Sequence, residues 1–362
     1  MAKDLHAQKF SASTVHKLWL YGAYLEDALP VFLMTQAITD INLFDFFAGP
    51  GINIDGELGS PSIAIEAIKK TLYSVSSVGK TIHLYFNELD KAKYEQLSKY
   101  SQMVKSEMPA LDIHVSNQDF QVFFPDCAPM MNKPGSANLI FIDQYGISFV
   151  TKEIFQYLAS LRFTDFMFFL ASGSANRFKG DDKGIWSHLP PLSDEEKNAI
   201  NNKNVHRILA SSYIRWIPPN CQRYLGNFSF QKQSNVYGLV FGSGHPTGLD
   251  RFLHKAWKLA ADFGGQADFD IDDDGINTKQ LEMFQEYSKP TKLRLFKQEL
   301  ANKLQSHSFN NNVDIYLFSL AFGVLSSHVR QTLKELMQEK VIPKQNLPIS
   351  EGCLKKPQPI RY

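Results

Sequence analysis

The stretch that decides the fold is INLFDFFAGPG, residues 41–51. An apolar run of strand length ends in an acid, Asp45, and the chain then turns through Ala48, Gly49, Pro50 and Gly51. Near-continuous apolar runs belong to strands buried on both faces of a parallel sheet. Glycines at the bend let the backbone approach a ligand that a Cβ would hold off. The segment SPSIAIEAIKKTLY, residues 60–73, reads as a helix with Ser60 as N-cap and Pro61 at its first position. The free amides at such a helix start favour a phosphate or carboxylate. A G-x-G alone equally fits a tight strand-to-helix loop with no ligand.

Upstream, Val15, Leu18, Leu20, Tyr24, Leu25 and Leu29 recur near helical spacing and predict one long helix from Ser11, ending near Pro30. Downstream, strands are expected at TIHLYFNE (81–88), LDIHVSNQDF (111–120), ANLIFIDQYG (137–146) and FTDFMFFLASG (163–173), with helices at 90–102 and 151–161. A last strand is expected at 235–244. Alternating strands and helices predict an α/β, Rossmann-like, doubly wound parallel sheet covered on both faces. Residues 174–233 read as a long insertion in which basic and aromatic residues interleave, diluted by acids. That pattern fits a polyanion-binding wall or a solvated flap. After residue 248 the pattern turns helical, with an acidic loop at 268–275. That loop mimics the start of an EF-hand, but Leu281 stands where the bidentate Glu is required, so it reads as a solvated turn. Helices at 292–304, 313–322 and 326–339, followed by a short ribbon, outline a winged-helix-like domain. The expected division is 1–248, a helical linker 249–290, and 291–362.

Composition narrows the function classes. Lys+Arg is 38 against 37 Asp+Glu, a formal net charge of +1, which excludes a globally basic nucleic-acid coat but not a local patch. The three cysteines, Cys127, Cys221 and Cys353, are far apart and in no CxxC pair, which argues against a disulfide scaffold or a cysteine-rich zinc site. The ten histidines show no H-E-x-x-H spacing, and no Walker A or G-x-S-x-G is present. The polar N-terminal residues and the absence of a long apolar run predict a soluble cytoplasmic protein without a membrane span.

Acids recur at successive strand ends. Glu88 ends the second strand, where a carboxylate can accept both ribose hydroxyls of a nucleoside; it also reads as an ordinary acid beside a helix start capped by Asp90. Asp119 and Phe120 end the third, as acceptor for an adenine amine and a ring to lie against it, or as an exposed Asp beside a core Phe. Strand, acid and G-x-G in this order resemble the first motif of class I S-adenosylmethionine (SAM)-dependent methyltransferases. FAGPG is close to the F-A-G-x-G of DNA cytosine methyltransferases, but Asp126 separates Pro125 from Cys127, so no Pro-Cys nucleophile is formed. The combination FAGPG…DGELGSPSIAIEA, FNELDKAKYEQL, FIDQYGISFVTKEIFQYLA and HPTGLDRFLHKAW resembles the three-Cys-motif partner (TcmP) family, from about Phe10 to Trp257.

That resemblance implies a methyltransferase-like domain that binds SAM and works with a partner protein carrying three cysteines. Asp45, Ala48, Gly49, Pro50, Gly51, Glu88, Asp119 and Phe120 are the expected cofactor residues. In amino-methyltransferases a D/N-P-P-Y/F tetrad ends the fourth strand and acts on a flipped base. Here the matching residues are Asp143-Gln144-Tyr145-Gly146. Asp143 and Tyr145 are therefore the candidate catalytic pair, and read equally as a turn cap and a core ring. Gln144 in place of Pro weakens the match to sites that methylate the N6 amine of adenine or the N4 amine of cytosine. In the tail, His328, Arg330 and Lys334 are candidate nucleic-acid contacts on the second helix of the turn motif, a module that also serves protein docking. The expected function is a SAM-dependent methyltransferase-like protein acting on nucleic acid with a partner, or a degenerate SAM-fold scaffold whose tail binds DNA or a partner.

Overall fold

The structure, a computed structural model, describes residues 9–74, 79–144, 146–172, 184–201, 204–232, 235–263 and 291–362. Tyr145, the acidic loop 268–275 and residues 174–183, 202–203 and 233 of the expected insertion lie outside the described residues.

The chain opens with α1 (Ala12–Met34), capped by the Ser11 hydroxyl, which accepts from the Thr14 amide at 3.3 Å. The helix does not stop near Pro30 as expected. Leu29, Phe32 and Leu33 are buried, and their packing outweighs the backbone bond the proline removes. There follow β1 (Asp40–Asp45), α2 (Ser60–Ser74), β2 (Thr81–Asn87), α3 (Lys91–Glu107) and β3 (Leu111–Ser116). The third strand ends earlier than its expected bound at Phe120, because Asp119 caps a further helix, α4 (Phe120–Met131), with its Oδ1 accepting from the Gln121 amide at 2.8 Å. Pro125 and Pro129 sit inside α4, yet Phe120, Phe123, Phe124, Cys127 and Met131 all bury along one helical stripe. Next come β4 (Ser136–Ile142), α5 (Lys152–Ser160) and β5 (Thr164–Leu170). Two short helices, α6 (Asp194–Ala199) and α7 (Val205–Ser212), lead to β6 (Tyr224–Lys232), β7 (Asn235–Ser243) and α8 (Pro246–Phe263). The chain closes with α9 (Thr291–Gln305), α10 (Asn312–Phe322) and α11 (Ser326–Gln338).

The seven strands form one sheet in the order β3-β2-β1-β4-β5-β7-β6. The expected all-parallel sheet is corrected at one edge. β7 pairs antiparallel with both β5 and β6, while the pairs among β1 to β5 are parallel. The reason is local: β6, unrecognised in the sequence and lying within the expected insertion, runs straight back as β7, and neighbouring strands so joined must oppose. The result is an α/β Rossmann-like mixed sheet with helices on both faces.

Side chains alternate across the sheet. One face carries Ile41, Leu43, Leu84, Phe86, Leu139, Phe141, Leu239 and Phe241, and packs on α1, α2, α3 and α8. The other carries Phe44, Phe46, Tyr85, Ile140, Ile142, Phe166 and Phe168 against α4, α5 and α7. The first core continues without a break into α9, α10 and α11 through Phe296, Ile315, Leu320, Val329 and Leu333. The Tyr316 hydroxyl donates to Asp250 at 2.9 Å and the Trp257 indole to the Gly323 carbonyl at 2.9 Å, tying these helices to α8. α10 and α11 cross at 119°, within the range of a helix-turn-helix. No strand pair follows α11 among the described residues. In place of the expected ribbon, a lone bridge joins Asn311 to Pro359. No single described helix is long and apolar enough to cross a membrane.

Candidate functional site

The strand order reverses between β1 and β4, and in open α/β sheets the crevice beyond the carboxyl ends at that switch is where ligands bind. Asp45 ends β1 and Asp143 follows β4 directly. Both continue the parity of Leu43 and Phe141, so both face α1. Asp45 is 1% exposed. Its Oδ1 accepts from the Phe47 amide at 3.3 Å, and its Oδ2 has no hydrogen-bond partner among the described residues. Burial pushes its pKa up to about 7; the Ser60 hydroxyl and the Phe47 amide oppose the rise, and the neighbouring carboxylates of Asp143 and Glu88 add to it. A buried acceptor without a donor is rare and costly.

The bend beyond Asp45 has the backbone that its glycines require. Gly49 and Gly51 take φ of 63° and 82°, in the left-handed region. At Gly51 a Cβ would stand 3.1 Å from the Tyr100 ring and 3.3 Å from Leu97, both on α3. Ala48, Gly49, Pro50 and Gly51 are buried. The Gly51 carbonyl accepts from the Gly59 amide and the Ser62 hydroxyl, both at 2.7 Å, which fixes the loop against the start of α2.

Glu88 lies just past β2 and reaches across to this bend. One carboxylate oxygen accepts from the Gly49 amide and the other from the Asp90 amide, each at 2.8 Å. Asn87, which the sequence reading passed over, laces three strand ends. Its carbonyl accepts from the Ala48 amide at 2.9 Å, its side-chain amide donates to the Gln118 carbonyl at 3.0 Å, and its Oδ1 accepts from the Gln118 amide at 3.1 Å. Asp119 is exposed at the start of α4. Phe120 differs from its expected position at a strand end. As the first residue of α4 it is 3% exposed, with its ring against Phe46, Phe47 and Phe149.

Asp143 is paired. Lys17 of α1, also missed in the sequence, donates to Asp143 Oδ2 and stands 4.8 Å over the Phe169 ring. The residue in the place of the expected proline has a structural task. Gln144 Nε2 donates to the Phe169 carbonyl at 2.8 Å, and its Oε1 accepts from the amides of Phe149 and Val150 at 3.0 and 3.2 Å. One side chain thereby holds the loop after β4 to β5.

The three tail residues do not share a face. Two residues along a helix rotate the side chain by about 200°. Arg330 and Lys334 are exposed, whereas His328 turns inward with its ring centroid 4.2 Å from that of Trp257. His328 Nδ1 accepts from the Leu325 amide at 3.3 Å. Burial, with His254 nearby, pulls its pKa down to about 4, so it carries no charge for a phosphate at neutral pH. Arg330 donates to the Ile349 carbonyl at 2.8 Å.

A cavity of about 580 Å3 opens at the opposite pole of the sheet, lined by Tyr24, Asp165, Arg223 and Arg251 among others. Asp165 there already accepts from the Tyr24 hydroxyl at 2.6 Å. The orphaned carboxylate and the positive-φ glycines make the switch-point crevice the better candidate.

No protein-family model matches the sequence, and no curated protein matches it. Among solved structures the chain is similar to spermidine synthase from Thermotoga maritima, at 15% identity and a TM-score of 0.31 over 67% of this chain and 65% of that one. It is similar to a spermidine synthase in complex with the transition state analogue AdoDATO at 15% identity and a TM-score of 0.32, over 67% of this chain and 66% of that one. The chain thus spans slightly less than two thirds of the length of either.

Proposed function

We propose that this chain binds S-adenosylmethionine at the ends of β1 and β2 and is a SAM-dependent methyltransferase-like protein of TcmP type, acting on nucleic acid together with a partner protein. The observation that carries the reading is the buried Asp45 carboxylate, whose Oδ2 lacks a donor among the described residues and stands beside two positive-φ glycines. An ammonium group supplies that donor. Glu88 keeps lone pairs beyond the two amides it already holds, enough for ribose hydroxyls. The exposed Leu89 and Asp119 border the same strand ends and provide an apolar surface and an acceptor for the base. When bound, SAM supplies an activated methyl group, and the protein's share is alignment of the acceptor with it. Asp143 and Tyr145 are the residues proposed to face the acceptor, and Arg330 and Lys334 those proposed to meet phosphates.

A second reading is favoured by one observation. Lys17 neutralises Asp143, and Gln144 is committed to holding its loop, which suits a binding or scaffold module that keeps the cofactor fold without the transfer. Calorimetric titration with SAM, followed by a radiolabelled methyl-transfer assay over DNA, RNA and protein, separates the readings. Binding with transfer supports the first, and binding without transfer the second. If the chain shows no affinity for SAM or its demethylated product, both readings fail. Glu88→Ala is expected to weaken SAM binding by about 1–3 kcal/mol.

A further inference from the structure

Away from that crevice, on the opposite face of the sheet and toward the amino ends of the strands, three side chains from β2 and β3 converge. His83 pairs in register with Asp112, and His114 follows Asp112 by two residues, so alternation brings all three to one face. His83 Nδ1 lies 2.7 Å from Asp112 Oδ2, and His114 Nε2 lies 2.8 Å from the same oxygen. One ligand atom from each falls within 4.8 Å of the others. We propose that His83, Asp112 and His114 form a site for one divalent transition-metal ion of the zinc or cobalt class.

Two imidazoles and a carboxylate are the donors such ions select over magnesium or calcium. Bond lengths of about 2.0–2.2 Å place ligand atoms around such an ion about 3.3 Å apart, so the cluster opens by roughly half an ångström to take it. His114 is half exposed and free to make that adjustment. The surroundings match those of a metal-bound histidine, whose second ring nitrogen donates to a carboxylate that fixes its tautomer. His83 Nε2 faces Asp40 Oδ1 at 3.3 Å. Asp40 is itself held by the Thr39 hydroxyl at 2.7 Å and by Lys133 at 3.2 Å. With its proton on Nε2, His83 presents the Nδ1 lone pair toward Asp112 and His114. Tyr85 stacks on the His114 ring at 4.8 Å with 8° between the planes, a contact along which the ring can slide as it adjusts. No fourth His, Cys or acid joins the cluster among the described residues, so the remaining position on the ion is left to water or an exogenous ligand.

The test uses the full chain, stripped with chelator and titrated with cobalt(II), then zinc(II). The expected result is one cobalt per chain with a saturable visible absorption band that zinc displaces. His114→Ala and His83→Ala are each expected to weaken binding at least tenfold and to change the band. Asp40→Asn, which touches only the orienting carboxylate, is expected to weaken it about 10–100-fold. His114 is exposed enough that its replacement leaves the fold intact, which far-ultraviolet circular dichroism checks. The proposal is overturned if saturable one-to-one binding is absent. Cobalt affinity and spectrum unchanged in both histidine variants would overturn it equally, leaving the cluster a hydrogen-bonded edge of the sheet. SAM affinity plays no part in either outcome.

Discussion

Replacing Asp45 with Asn separates the energetic cost of the buried carboxylate from its use. In the unfolded chain Asp45 titrates near 3.8, and in the folded protein near 7. A folded pKa above the unfolded one means that the native state holds the proton more tightly. The stability this contributes is complete below about pH 4 and is lost as pH rises through 7. At about 1.4 kcal/mol per tenfold change in proton affinity, the full loss is about 4 kcal/mol, most of it incurred by pH 7. Asp45→Asn carries no charge to bury. Its unfolding free energy relative to the wild type should therefore be near zero or slightly negative at pH 4.5 and rise by about 3–4 kcal/mol by pH 8, as read from urea denaturation at successive pH values. The same variant should bind SAM about 10–100-fold more weakly, the usual consequence of removing a charged hydrogen-bond acceptor. Wild-type binding should release a proton near pH 7, detectable calorimetrically as a dependence of the apparent enthalpy on buffer. Parallel stability curves for wild type and variant would refute the claim that Asp45 carries a buried, unpaired charge. Unchanged SAM affinity would refute its assignment to the ligand.

Other expectations follow from the same geometry. Gln144→Ala removes three hydrogen bonds to Phe169, Phe149 and Val150, so a loss of about 2–4 kcal/mol is expected, with faster hydrogen exchange at the amides of Phe149 and Val150. Gly51→Ala and Gly56→Ala both place a Cβ at positive φ, costing about 1–2 kcal/mol. Only Gly51 also meets Tyr100 and Leu97, whereas Gly56 has open space, so thermal melts should show the larger drop for Gly51→Ala. Lys17→Met leaves Asp143 without its counter-charge; because Asp143 is about a quarter exposed, the expected loss is about 2 kcal/mol rather than the 3–5 of a fully buried pair, measurable by denaturation at pH 7.5.

What the sequence made legible was whatever depends on neighbours along the chain. The apolar run into Asp45, the glycines after it and the acid at Glu88 each declare a strand end locally, and the structure places those ends side by side. α4 was hidden because Pro125 and Pro129 read as breakers, although Phe120, Phe123, Phe124, Cys127 and Met131 keep helical spacing through them. β6 was hidden because Gly226, Asn227 and Ser229 dilute its apolar residues, and its pairing partner β7 supplies the stability. Lys17 belongs to the crevice only through the packing of α1, 126 residues from Asp143. His83 and Asp112 meet only through strand register. Contacts of that kind are set by the topology of the sheet, and no local spacing encodes them.

The charge balance of the crevice narrows what it can hold. Asp45, Glu88 and Asp143 are close enough that the last two raise the pKa of the first. Lys17 answers Asp143 alone. Among the described residues, three carboxylates stand against one lysine, a balance that disfavours a ligand presenting phosphates, because like charges in a poorly solvated cleft repel strongly. That weighs against reading the G-x-G as a dinucleotide bend, despite the glycines and the strand order. A nucleoside that brings positive charge, as SAM does with its ammonium and sulfonium groups, gains where a phosphorylated one loses. On the proposed reading, the carboxylates favour the cationic nucleoside and the glycines leave the backbone room to approach it.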